Sequence, residues 1–182
     1  MEQPEVPTEH LHEHIEHHAK HSGERWTLGV ALSSALLAAL AAVASLQAGH
    51  HANKAMVSQI ESANQWSYFQ SKSIKEGQLK SKMDILVALD KSVADTDTSK
   101  AEDYKQEKEK IQQAAEAKEQ EAHHHLATHE IFAKSVTLFQ IAISVGAISV
   151  LTRRPKFWHV SLLLGITGVF FFVQAFLSAS GH

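Results

Sequence analysis

From Trp26 to Ala48 the chain reads WTLGVALSSALLAALAAVASLQA, 23 residues without a charged side chain. At ~1.5 Å per helical residue, such a run crosses a hydrocarbon layer of ~30 Å. A backbone in hydrocarbon must satisfy its own hydrogen bonds, which a helix does, so the run predicts a transmembrane helix over 26–48. A secretory signal is the competing reading, because SLQAG offers small residues at a cleavage spacing. The apolar stretch is too long for a signal, and the residues before it are acidic and rich in histidine.

Two further runs, 131–152 and 157–178, have the same character. Lys134 lies near one end of the second, where a long side chain reaches the interface at modest cost. Only RRPK, residues 153–156, separates the two runs, and Pro155 breaks a helix there. They are expected to form an antiparallel transmembrane pair. Arg153, Arg154 and Lys156 set the topology, since positive residues in short loops stay on the cytoplasmic side. By alternation the N-terminus is cytoplasmic, and residues 49–130 and the tail 179–182 lie outside. In a bacterial inner membrane the outside is the periplasm.

Cysteine is absent, which removes disulfides, thiolate metal sites and thiol nucleophiles. The net charge of −3 is unevenly spread: residues 1–25 carry −4, 49–93 carry +2, 94–130 carry −5 and 132–182 carry +4. None of these segments is a dense basic face with interleaved aromatics, so nucleic acid is set aside as a partner. Paired acids, a nucleophile with its base, and phosphate-binding loops are all missing, and an enzyme is not expected.

Residues 49–130 contain no proline and are dominated by Ala, Gln, Glu, Lys and Ser, a helix-forming composition. Turn and cap formers cluster in VADTDTSKAED. The segment is therefore expected to be an antiparallel, coiled-coil-like hairpin of helices over about 50–93 and 99–130, turning near 94–99. Leu79, Met83, Leu86 and Val93 keep a coiled-coil spacing, and Tyr104, Ile111, Ala115 and Ala122 answer them. The fold class is thus all-α: an integral membrane protein of three transmembrane helices with a long extramembrane hairpin. A seam so thin calls for neighbours, which points to a homo-oligomer.

Histidines gather at both roots of the hairpin. AGHHANKA contributes His50 and His51, and EAHHHLATHEI contributes Glu121, His125 and His129. His125 and His129 share a helix face, with Glu121 one turn before, and such a face can offer two imidazoles and a carboxylate to Zn, Ni or Cu. A cluster of imidazoles would change charge between roughly pH 5 and 7, so pH sensing is the alternative, and half-wet interfacial side chains are the bland one. In the N-terminal segment 1–25, His10, His14, His17 and His21 fall on one face of a short amphipathic helix. No resident cofactor is otherwise expected. Thr137, Gln140 and Ser144 form a polar stripe on the second span, read as packing contacts or as the lining of a small oligomeric pore.

The stretch NQWSYFQSKSIK places Trp66, Tyr68 and Phe69 ~25 Å beyond the first span, too far for an interfacial aromatic belt. Together with Leu79, Met83 and Leu86 they are the candidate contacts between subunits or with a protein partner. With TEHLHEHIEH and ERWTLGVALSSALLAALAAVASLQAGHHANKAM, this stretch resembles an uncharacterised bacterial domain-of-unknown-function family. The resemblance covers most of the chain and implies a three-span membrane protein with a helical insert between spans one and two. The family usually carries aspartate where this chain has Asn64 and tyrosine where it has Phe69, so no charge-dependent role is carried over to position 64. The expected function is a self-associating scaffold or membrane-organising assembly in the lipid bilayer, with a metal or pH module and a pore as the alternatives.

Overall fold

A computed structural model describes residues 25–180. Three helices account for nearly all of them: α1 (Arg25–Ala88), α2 (Asp95–Leu151) and α3 (Pro155–Ser180). No strand occurs among the described residues. The N-terminal histidine face and the last two residues, with His182, lie outside them. Each helix contains a segment long and apolar enough to cross a membrane.

The helix boundaries place the turn earlier than expected. Helix α1 runs unbroken from Arg25 through Gly49 and Gly77, so first span and outgoing arm are one helix. The turn occupies residues 89–94, and Asp95 to Ser99, expected in the turn, form the first turn of α2. Both long helices end in the same way without glycine. Asp90 has φ 52°, Lys91 N–H donates to Leu86 C=O at 2.8 Å and Asp90 N–H donates to Val87 C=O at 3.0 Å. Arg153 has φ 53°, with Arg154 N–H to Ser149 C=O at 3.0 Å and Arg153 N–H to Val150 C=O at 3.2 Å. These are Schellman ends, in which one left-handed residue folds the chain back to satisfy the last carbonyls. After the second end, Pro155 opens α3, where its missing N–H costs nothing.

A side chain in the left-handed region is strained, aspartate less than most. Asp90→Gly is expected to raise stability by up to ~1 kcal/mol. A thermal melt followed by circular dichroism checks this, with Asp90→Ala moving the midpoint the other way; equal midpoints for the two variants would contradict the reading.

The chain divides into two units, residues 53–125 and the remainder. Among the described residues, the second unit is a three-helix bundle built from the start of α1, the end of α2 and all of α3. Its centre is Leu37, Ala41, Ala44, Ala48, Phe132, Phe139, Ala142, Ile143 and Ala175. A smaller cluster of Val30, Ala31 and Ala147 is capped by Trp26, Val150 and Trp158. Glycines let the helices approach: a Cβ on Gly146 would stand 3.3 Å from Ser161 Oγ and 3.4 Å from Ser34 Oγ, and one on Gly29 would stand 2.9 Å from Trp158. Ser161 donates from α3 to Ala142 C=O on α2 at 2.6 Å, and Trp158 Nε1–H donates to Ser33 Oγ at 3.3 Å.

Small polar side chains are buried among the apolar ones of this bundle, and large apolar side chains cover its outside. Thr27, Ser34, Thr128, Ser135, Ser149 and Ser161 are buried, while Leu32 is 73 % exposed, Leu163 66 % and Phe170 66 %. In water so many outward Leu, Ile and Phe would drive aggregation.

Residues 53–125 form the hairpin. Glu61 pairs with Lys118, Ser62 with Ala115, Lys72 with Glu107, Glu76 with Lys108 and Lys82 with Asp97. From Glu61 to Lys82 on one arm the partners run from Lys118 back to Asp97 on the other, so the arms are antiparallel.

Candidate functional site

Among the described residues, the sequence offered three places for chemistry: the hairpin's aromatic stretch, the histidines at its roots, and the polar stripe of α2. The hairpin seam itself is the fourth. Along the outgoing arm, buried or part-buried residues recur at positions 55, 58, 62, 65, 69, 72, 76, 79, 83 and 86, alternating steps of three and four. That is the heptad spacing of paired helices. Polar residues hold many of these positions: Ser58, Ser62, Gln65, Lys72 and Glu76.

Glu76 is the least expected of them. It is 6 % exposed, and its carboxylate bridges Lys108 on the opposite arm at 2.7 Å and Lys80 on its own at 2.6 Å. The hydrogen bond from Lys108, then that from Lys80, holds the Glu76 carboxyl below the usual carboxylate range against the opposing effect of burial. Lys108 also lies 5.3 Å from the centre of the Phe69 ring. One layer away, Lys72 pairs with Glu107, which raises its pKa, and sits between Tyr68 at 5.4 Å and Tyr104 at 5.2 Å. A cation held over an aromatic face contributes about 0.5–1 kcal/mol where water has access. Near the root Lys118 bonds Glu121 and Glu61, each at 2.9 Å, and is pushed up to about 12, by Glu121 first and Glu61 second.

These contacts define what the candidate residues do within one chain. Leu79, Met83 and Leu86 lie part-buried on the seam series, so their contact is the hairpin's own pairing. Phe69 is also a seam residue and packs edge-on against Trp66 with ring centres 5.6 Å apart. Tyr68 remains half exposed.

The histidines separate. His51 is buried and stacks on Phe132 with centroids 5.8 Å apart, while His50 is exposed. His129 Nδ1 lies 2.9 Å from Ala48 C=O; a carbonyl only accepts, so this nitrogen carries the proton. That bond ties α2 to α1 across the bundle. In the other unit, His125 Nε2 stands 4.0 Å from Glu121, whose carboxyl is held down chiefly by Lys118. Among the described residues, no three His, Asp or Glu side chains converge closely enough to hold a metal ion. On the polar stripe, Thr137 Oγ donates to Ala133 C=O and Ser144 Oγ to Gln140 C=O, each within its own helix at 2.9 Å.

The signal that could have revealed Glu76 was present in the chain. Counting heptads from Ala55 passes through Ser62 and Phe69 to Glu76 whatever the polarity of each residue, whereas a search for apolar spacing steps over it. The arrangement aligns helices, and its charges neutralise one another.

A family model described as a domain of unknown function, DUF4337, matches residues 13–178. The chain belongs to that family. The match runs through all three helices, so the apolar bundle and the ion-paired hairpin are parts of one DUF4337 unit rather than a general anchor joined to an unrelated head. No curated protein and no solved structure matches the chain.

Proposed function

We propose that this DUF4337 protein is a non-enzymatic scaffold of the bacterial inner membrane, which self-associates through its spans and a coiled-coil-like periplasmic hairpin. The observation that carries the reading is the bundle's apolar outside: Leu, Ile and Phe cover its surface, while serines and glycines are buried among the apolar residues of its centre. Hydrocarbon, unlike water, favours that distribution, and small residues are what let helices associate in lipid. Arg153, Arg154 and Lys156 between α2 and α3 argue for a cytoplasmic loop, hence a cytoplasmic N-terminus and a periplasmic hairpin. The seam supports a structural role, because its charges are spent on pairing two arms.

The test is the mass of tag-free, detergent-solubilised protein by light scattering, with metal content assayed on the same peak. The scaffold reading expects one discrete oligomer that survives chelators and the paired change His125→Ala, His129→Ala. Near-stoichiometric Zn, Ni or Cu that disappears with that change would replace it by the metal reading of His50, His51, Glu121, His125 and His129. Conductance in planar bilayers that shifts with Gln140→Leu would favour a pore.

A further inference from the structure

The outgoing arm of the hairpin has a second face. Opposite the seam, positions 57, 60, 64, 67, 71, 74, 78, 81, 85 and 88 again alternate steps of three and four, and all ten are exposed. Not one carries a charge. Val57 is 55 % exposed, Ile60 55 %, Ile74 61 % and Ile85 60 %, with Asn64 and Gln78 between the apolar layers. The corresponding positions of the returning arm, 96, 99, 103, 106, 110, 113, 117 and 120, are ordinary solvent surface: they carry Asp103 and Lys110, three glutamines and no Val, Leu or Ile. Two arms of one hairpin in the same solvent have no reason to differ so sharply unless the first is covered.

We propose that this face is covered by the same face of a second copy of the chain, with the two outgoing arms parallel and in register. The proposal deepens the scaffold reading and rests on it, because spans in one bilayer with one orientation send their outgoing arms in the same direction. An uncharged stripe offers nothing to an acidic or basic partner, but it is complementary to itself. In parallel register Val57, Ile60, Ile74 and Ile85 each meet their own copies. Asn64 meets Asn64 and Gln78 meets Gln78, and an amide, being both donor and acceptor, pairs with its like. Single amides at core positions are the residues that fix register in paired helices. The flanking cations raise no objection: by heptad geometry Lys75 and Lys82 face Gln70 and Gly77 of the other copy, so no like charges meet across the seam. An antiparallel pairing of the same stripe would set Ser71 against Ile74 and lose the amide layers.

The chain lacks cysteine, so single cysteines report cleanly. Ile60→Cys, Ile74→Cys and Ile85→Cys are each placed in the full-length protein, reconstituted in lipid vesicles and oxidised, with Glu109→Cys as the control. A disulfide needs Cα atoms within about 7 Å, which only parallel, in-register partners satisfy at all three positions. All three are expected to give covalent dimer as the main species and the control to remain monomeric. Cross-linking at Ile74→Cys alone would mean antiparallel arms and overturn the proposal. An oligomer by light scattering with none of the three cross-linked would overturn it while leaving the scaffold reading intact; a monomer by both measures would end both. Ile74→Lys should weaken dimerisation about tenfold or more with helix content unchanged, since its side chain is exposed in the single chain.

Discussion

Gly168→Leu is expected to unfold the apolar bundle more readily than any conservative change elsewhere in it, lowering its stability by about 2–3 kcal/mol. A Cβ at this position would stand 2.7 Å from both Cδ1 and Cε1 of Phe139 and 3.4 Å from Cβ of Leu138. Phe139 is fully buried at the centre of the bundle, with Phe172 against it at 6.3 Å between ring centres, so the ring has nowhere to go. The contrast is Gly165, whose Cβ would meet the terminal carbons of Leu37 at 3.0 and 3.2 Å. Leucine tips turn aside more cheaply than a ring, so Gly165→Ala should cost clearly less. Thermal melts in detergent compare the variants. The decisive cycle adds Phe139→Leu: if the clash is the cause, Gly168→Leu costs less in that background than in the native one, and simple additivity would refute it.

The second large effect belongs to the hairpin. Removing the Glu76 carboxylate strands Lys108 in the seam, where that side chain is 23 % exposed, and breaking a largely buried pair leaves an uncompensated charge. Glu76→Ala is expected to cost about 2–3 kcal/mol, at the low end for buried pairs because Lys108 can partly reach water. The pH dependence has a definite sign. The folded-state carboxyl is held below its ordinary value of 4.5, so its contribution is complete above that pH and is lost as pH falls through the lowered value. Melting midpoints of the native protein should therefore hold from neutral pH to about 5 and fall below it. Glu76→Gln should start lower and fall less steeply. Glu121 is held low as well, so the difference between the two curves, not the native curve alone, reports Glu76. Parallel curves would remove Glu76 from the account.

The three apolar runs were legible because nothing competes with 18 or more uncharged residues for a helical reading, and three helices follow from them. The turn was legible only as a neighbourhood. Its location depends on Asp90 accepting a left-handed backbone, as the second corner depends on Arg153, and neither residue announces that conformation as a glycine would. The aromatic stretch drew notice for its rarity, yet Phe69 turned out to be one layer in a seam whose next two layers are Lys72 and Glu76. Polarity hid those layers, since burial of a charge depends on a partner more than 30 residues away. The histidines illustrate the converse: their clustering in sequence is conspicuous, while His51 is taken up by stacking and His129 by a carbonyl.

The hairpin's ion pairs also give each part of the arm an address. Heptads made only of alanine and leucine are interchangeable, and two such arms could slide by one repeat and still match. Moving α2 by seven residues here would set Glu76 opposite Ala101 or Ala115 instead of Lys108, and Lys72 opposite Lys100 or Ala114 instead of Glu107. Every misaligned arrangement leaves a charge without its counterpart. Wherever copies of the chain meet, each arm can thus find its own returning half and reject a staggered neighbour's.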